Sequence, residues 1–202
     1  MSMLRSFTPA DALTIGNASC GTIAIFLCLE YLASGDTRLL WVACFLLPLA
    51  LVCDVLDGYV ARLSTTRQSR LGADLDSLSD VISFGVAPAV LGYTLGLRGG
   101  WDMLCLTYFV VCGVSRLARF NVTAADLSDS ATGKVKYFEG TPIPTSVLIV
   151  ALLAVALATG RIDGQLWLGA YRIGPAWLHP LALVYAASGS AMISATLRIP
   201  KL

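Results

Sequence analysis

Four aspartates that could share one chemical task fall in two short runs, each set against a long apolar stretch. The first run reads Asp54-Val55-Leu56-Asp57-Gly58-Tyr59-Val60-Ala61-Arg62. Nine residues later the second reads Gly72-Ala73-Asp74-Leu75-Asp76-Ser77-Leu78-Ser79-Asp80. Ionisable side chains within membrane-length apolar segments are costly, and they mark functional sites. Helical spacing puts Asp54, Asp57, Gly58, Ala61 and Arg62 on one face of one helix, and Gly72, Asp76 and Asp80 on one face of the next. Asp74 points about 200° away from Asp76 at 100° per residue. A short hairpin between the two helices then gathers four carboxylates from two helices in one cleft. Negative charges at that density require protons or cations as compensation. A donor set made of carboxylate oxygens favours a hard divalent ion, Mg²⁺, Mn²⁺ or Ca²⁺, over zinc. Gly58, Ala61 and Gly72 leave the backbone open to a flat or bulky ligand, and Arg62 on the same face suits a phosphate. Such a site at a membrane interface fits a phosphate-bearing substrate whose tail stays in lipid.

The elements that carry these residues follow from composition. The chain has 202 residues, 56% of them apolar and only 13% charged, with 14 Lys+Arg against 13 Asp+Glu. Its mean hydropathy is +0.75. A soluble domain carries about twice that charged fraction. These figures exclude a disordered chain and a strongly basic nucleic-acid binder. They predict an all-α integral membrane protein of six transmembrane helices in a single domain spanning 1–202. The expected spans are 13–33, 39–62, 72–97, 101–119, 142–159 and 177–197, separated by breaks such as Ser34-Gly35-Asp36 and Arg98-Gly99-Gly100. A short interfacial helix is expected within residues 1–12, opened by Thr8-Pro9-Ala10-Asp11, and no cleavable signal peptide is expected.

Six crossings put both termini on one side. Ten basic residues (Arg5, Arg62, Arg67, Arg70, Arg116, Arg119, Lys134, Lys136, Arg198 and Lys201) would share that side, against Arg38, Arg98, Arg161 and Arg172 on the other. The bias places both termini and the acidic site in the cytoplasm. The six cysteines form no C-x-x-C pair and read as soft fillers of helix contacts. Asp36, Asp74, Asp102 and Asp163 read as solvated loop or helix-end charges, and Glu30 and His179 as interfacial groups. Trp41, Trp101, Trp167 and Trp177 read as a belt on the far side. Pro48 and Pro88 are expected to interrupt the second and third spans. Asn17 lies within a span, where it would line the cleft rather than carry a glycan.

At the acidic runs the sequence resembles the CDP-alcohol phosphatidyltransferase family, whose signature is D-x-x-D-G-x-x-A-R followed at short distance by G-x-x-x-D-x-x-x-D. All eight fixed positions match, at Asp54, Asp57, Gly58, Ala61, Arg62, Gly72, Asp76 and Asp80. Three further segments resemble the phosphatidylserine synthase branch of that family: Ser83-Phe84-Gly85-Val86-Ala87-Pro88-Ala89, Ser115-Arg116-Leu117-Ala118-Arg119-Phe120-Asn121 and Phe138-Glu139-Gly140-Thr141-Pro142-Ile143-Pro144.

The resemblance implies the family's six-helix fold and a homodimer in a cell membrane. It also implies transfer of a phosphatidyl group from CDP-diacylglycerol, or from an archaeal counterpart such as CDP-archaeol, to the hydroxyl of L-serine, with release of CMP. Asp54, Asp57, Asp76 and Asp80 would hold two divalent cations. Asp57, Gly58, Ala61, Arg62 and Gly72 would bind the nucleotide, and Asp80 would act as general base. Arg116, Arg119 and Asn121, with Lys134 or Lys136, are expected to bind the serine carboxylate or the lipid phosphate, the alternative being anchoring to anionic headgroups. Glycerol phosphate, inositol phosphate or choline would be the alternative acceptors. A divalent-cation transporter is the alternative of a different class, although such sites tend to lie nearer the midplane on broken helices.

Overall fold

Backbone N–H and C=O groups in lipid must be paired within the chain, so apolar runs of this length fold as helices. The structure, a computed structural model, describes residues 9–63, 70–128, 137–194 and 198–200. Residues 1–8 of the expected interfacial segment, Arg67, Lys134, Lys136, Lys201 and the side chain of Arg62 lie outside the described residues.

Helix α1 spans Pro9–Ser34 and α2 spans Thr37–Leu63. The third apolar stretch is divided into α3 (Arg70–Asp80), a π-helical segment (Val81–Val86) and α4 (Ala87–Thr94). Helix α5 runs from Gly100 to Ser128, then strand β1 covers Tyr137–Glu139. A 3₁₀ turn at Ile143–Ser146 leads into α6 (Val147–Ala158), and strands β2 (Tyr171–Ile173) and β3 (Ala176–Leu178) precede α7 (Ala182–Ile193). Strand β4, Arg198–Pro200, pairs antiparallel with β1, Phe138 opposite Ile199. Strands β2 and β3 form an antiparallel hairpin with Arg172 opposite Trp177.

Among the described residues four helices are long and apolar enough to cross a membrane: Pro9–Ser34, Thr37–Ala61, Gly72–Thr94 and Gly100–Val122. The chain is therefore a multi-pass membrane protein. The fifth and sixth expected spans give the shorter apolar helices Ile143–Ala158 and Ala182–Ile193. The sixth was expected to open at Trp177, but Trp177 is in β3 and the helix starts beyond Pro180. Residues 9–12 are the first turn of α1 itself, not a separate interfacial helix. Pro48 lies inside an unbroken α2. At Pro88 the expected interruption takes the form of the π segment. Proline has no N–H for the carbonyl four residues back and its ring crowds that carbonyl, and the wider π turn just upstream accommodates this.

Helix α1 packs along α2 and against all three pieces of the third span, while α5 packs along α7. Helix α1 comes close to the third span at Gly21, where an added Cβ would stand 2.8 Å from the Ser83 Cα. Small residues of this kind let membrane helices come together. Leu40, Leu47, Phe84, Leu91, Leu153 and Tyr185 fill the interior. The Tyr185 hydroxyl donates to the Pro88 carbonyl at 2.6 Å, and its ring meets Phe109 edge-on at 5.3 Å. Outward faces carry exposed Phe26, Phe45, Val55, Leu104 and Leu148, as contact with lipid tails requires.

The end of the bundle holding the α1–α2 turn and the start of α5 corrects two sequence readings. Asp102 is not a solvated charge: it is 0% exposed. Its carboxylate accepts the Gly99 N–H at 2.8 Å and the His179 N–H at 2.7 Å, and lies 2.6 Å from His179 Nδ1. The Gly99 contact caps the start of α5 in the manner of a capping box, and the His179 contacts fasten the segment after β3 to the same point. His179 is accordingly a partner of Asp102 rather than a free interfacial ring. Trp101 Nε1 donates to the Ile173 carbonyl of β2 at 2.9 Å, adding a second tie. Asp163 does remain exposed, paired with Arg98 at 3.1 Å.

Candidate active site

The site forms where α2 ends and the third span begins, at the end of the bundle opposite Asp102. Asp54 and Asp57 lie near the end of α2, one turn apart, and Asp76 and Asp80 lie one turn apart on α3. Single carboxylate oxygens of Asp54, Asp76 and Asp80 all fall within 4.8 Å of one another, with Asp80 buried. Asp57 is adjacent and buried, close enough for its charge to act on both Asp76 and Asp80. It is turned toward α1, where its Oδ2 accepts the Thr14 hydroxyl at 2.8 Å. The tightest acidic group among the described residues thus has three members, with the fourth braced beside it.

Helix α1 contributes a polar stripe to this site. Thr14, Asn17 and Gly21 recur at i, i+3 and i+7, one face of the helix. Asn17 is 0% exposed, and its Nδ2 donates to Asp80 Oδ1 at 3.2 Å. The Asn17 backbone carbonyl accepts the Ser83 hydroxyl at 2.8 Å, across the contact at Gly21. One helix therefore holds an acid of α2 and an acid of α3. Sequence reasoning placed Asn17 at the cleft but passed over Thr14, although the spacing of Thr14, Asn17 and Gly21 in an otherwise apolar span was a readable signal.

The expected nucleotide positions lie beside the acids. Gly58 and Ala61 are half-buried, and among the described residues a Cβ built on Gly58 would meet no atom from beyond its own helix turn within 4 Å. Gly72 sits one turn before Asp76 on α3.

Of the basic and amide positions on α5, Arg116 is half-buried, its charge acts on Asp80, and its buried Nε has no hydrogen-bond partner among the described residues. Arg119 is exposed. The Asn121 amide is occupied by Ser77: Asn121 Nδ2 donates to Ser77 Oγ at 3.0 Å, and that hydroxyl donates back to Asn121 Oδ1 at 3.2 Å. Asn121 therefore clamps α5 to the helix bearing Asp76. Ile143 is buried between the Gly85 and Gly113 backbones, so the segments 83–89 and 138–144 meet against α5.

These donors are hard oxygens, and Asp76 Oδ1 is buried without a hydrogen-bond partner among the described residues. The set fits hard divalent cations. Asp74 is exposed. Asp74→Asn should change activity by no more than about twofold, the usual size of a surface substitution. A loss above tenfold in steady-state turnover would contradict the helical-face argument.

The comparisons with known proteins agree with this geometry. The sequence model of the family described as CDP-alcohol phosphatidyltransferase matches residues 7–187. The chain is 43% identical to CDP-diacylglycerol–serine O-phosphatidyltransferase of Saccharomyces cerevisiae over 202 residues, covering 99% of this chain and 73% of that protein. It is 39% identical over 143 residues to archaetidylserine synthase of Methanothermobacter thermautotrophicus, covering 70% of this chain and 55% of the relative. Over 115 residues it is 43% identical to CDP-diacylglycerol–serine O-phosphatidyltransferase of Helicobacter pylori, covering 54% and 44%. The match thus spans only about half the length of the latter two relatives. No solved structure matches the chain.

Proposed function

Because the chain belongs to the CDP-alcohol phosphatidyltransferase family, we propose that it transfers a phosphatidyl group from a CDP-activated lipid to the hydroxyl of L-serine, releasing CMP. The observation that carries this reading is the convergence of Asp54, Asp76 and Asp80 oxygens within 4.8 Å, from two helices. The lipid is CDP-diacylglycerol or, as the archaetidylserine synthase relative suggests, an archaeal CDP-lipid.

In this reading Asp54, Asp57, Asp76 and Asp80 hold two divalent cations, Mg²⁺ or Mn²⁺. Bound there, the cations would neutralise charge developing on the phosphoryl oxygens and ease ionisation of the hydroxyl. Asp57, Gly58, Ala61, Arg62 and Gly72 receive the cytidine nucleotide. Asp80 accepts the serine hydroxyl proton. The serine oxygen forms its bond to the lipid-side phosphorus, the bond from that phosphorus to the bridging oxygen breaks, and CMP leaves with the electron pair. Arg116, with Arg119 nearer solvent, binds the serine carboxylate or the lipid phosphate. Asn121 keeps α3 and α5 in register.

The same proposal covers the wider architecture. Residues 1–202 act as one catalytic domain. The shorter helices α6 and α7 complete six crossings of a cell membrane, with both termini and the site on the cytoplasmic face, as the basic residues indicate. Two copies form a homodimer.

Purified protein in liposomes containing CDP-diacylglycerol should release CMP with L-serine at least tenfold faster than with glycerol phosphate, inositol phosphate or choline. Equal or faster release with another alcohol would reassign the acceptor. Divalent-cation flux across the liposome without CMP release would move the protein to the transporter class.

A further inference from the structure

We infer that the side-chain oxygen of Asn17 receives the ammonium group of the acceptor and so selects an α-amino acid over other alcohols. This inference rests on the serine-transfer reading above. Asn17 is fully buried, and its Nδ2 faces the Asp80 carboxylate at 3.2 Å. Of the two ends of an amide, an ionised carboxylate repels the oxygen and accepts from the N–H, so this contact orients the amide with its nitrogen toward Asp80. Asn17 Oδ1 must then face away from Asp80 Oδ1, and it has no hydrogen-bond partner among the described residues. The backbone of Asn17 is held by the Ser83 hydroxyl, so the residue is tethered at both ends. A buried acceptor held in this way is expensive unless a donor arrives.

One more group at this site shares this condition: Arg116 Nε is a buried donor with no partner among the described residues, and its charge acts on Asp80. Helices α1 and α5 thus present one acceptor and one cationic donor on the residues that face the Asp80 side chain. Zwitterionic serine carries the matching set: an ammonium that only donates, a carboxylate that only accepts, and a hydroxyl to face Asp80. Glycerol phosphate and inositol phosphate bring anions and no ammonium. Choline brings a cation with no N–H, which a carbonyl oxygen cannot hold by a hydrogen bond. Ethanolamine offers the ammonium but nothing for Arg116.

The test uses the full chain in CDP-diacylglycerol liposomes and compares L-serine with 3-hydroxypropionate, which is serine without its amino group. Wild type should use serine with a kcat/KM about 10- to 100-fold higher, the range expected for a charge-assisted hydrogen bond. Asn17→Ala should lower kcat with both acceptors, through the lost tether to Asp80. It should also raise the serine KM, so that serine's advantage shrinks about tenfold or more, while the KM for CDP-diacylglycerol stays within about threefold. An equal loss with both acceptors at unchanged serine KM would show that Asn17 only holds Asp80, and would overturn the inference. Should the variant not fold, wild type still decides, because equal use of the two acceptors also overturns it. Absence of CMP release with serine in wild type, with release on another alcohol, would instead sink the serine-transfer reading itself.

Discussion

Asp80→Asn should lower CMP release from CDP-diacylglycerol and serine by at least about 10³-fold, while CDP-lipid binding is only partly lost. Removal of a positioned general base alone costs about 10²- to 10⁴-fold. Asp80 also belongs to the group of oxygens within 4.8 Å, so the same change weakens the cation site. Asparagine is nearly isosteric, and it still offers an oxygen to Asn17, so the packing of α1 on α3 should survive. Single-turnover CMP release, read beside an equilibrium measurement of CDP-lipid binding, separates the two effects. Activity within tenfold of wild type in the folded variant would remove Asp80 from the proton transfer.

Chelation is expected to have the second largest effect. EDTA should suppress turnover by at least about 10²-fold, since a Lewis acid at a phosphoryl centre contributes several kcal/mol. Mg²⁺ or Mn²⁺ should restore it, and Zn²⁺ should do so poorly because the donors are all hard oxygens. The physical root is repulsion. Asp54, Asp76 and Asp80 approach one another on two helices, with Asp57 close enough to add to their mutual field. Bound cations should therefore raise the thermal unfolding midpoint as well as the rate, and Asp54→Asn should raise the metal concentration needed for half-maximal activity. Full turnover in excess EDTA would end the metal-centre proposal.

The acids themselves were legible in the sequence because helical spacing is local. Two carboxylates one turn apart on each of two helices, joined by nine residues, have little choice but to face each other. The exposure of Asp74 follows from the same arithmetic. What was not legible depends on contacts between distant segments. Thr14 lies 43 residues from Asp57, and nothing near Thr14 announces its partner. Asp102 and His179 are separated by 77 residues, and each alone resembles a surface group, so their burial follows only from the packing of the hairpin on α5. Asn121 was read as a ligand for substrate from its place after two arginines, and its contact with Ser77, 44 residues away, was not readable from that local pattern. The length of the sixth helix was misread because hydropathy alone cannot tell a short apolar strand such as Ala176–Leu178 from the first turn of a span.

The bonds from α1 to Asp57 and Asp80 have a consequence for biosynthesis. A chain made from its N-terminus brings α1 into the bilayer ahead of both acid-bearing helices. Thr14 is then in place when Asp57 emerges, and Asn17 when Asp80 follows. Each carboxylate meets a neutral hydrogen-bond donor as it is threaded in, so neither has to wait in hydrocarbon for the other or for an ion. Loss of either donor should therefore show itself during membrane insertion, as reduced yield of the inserted protein, before any enzyme is assayed.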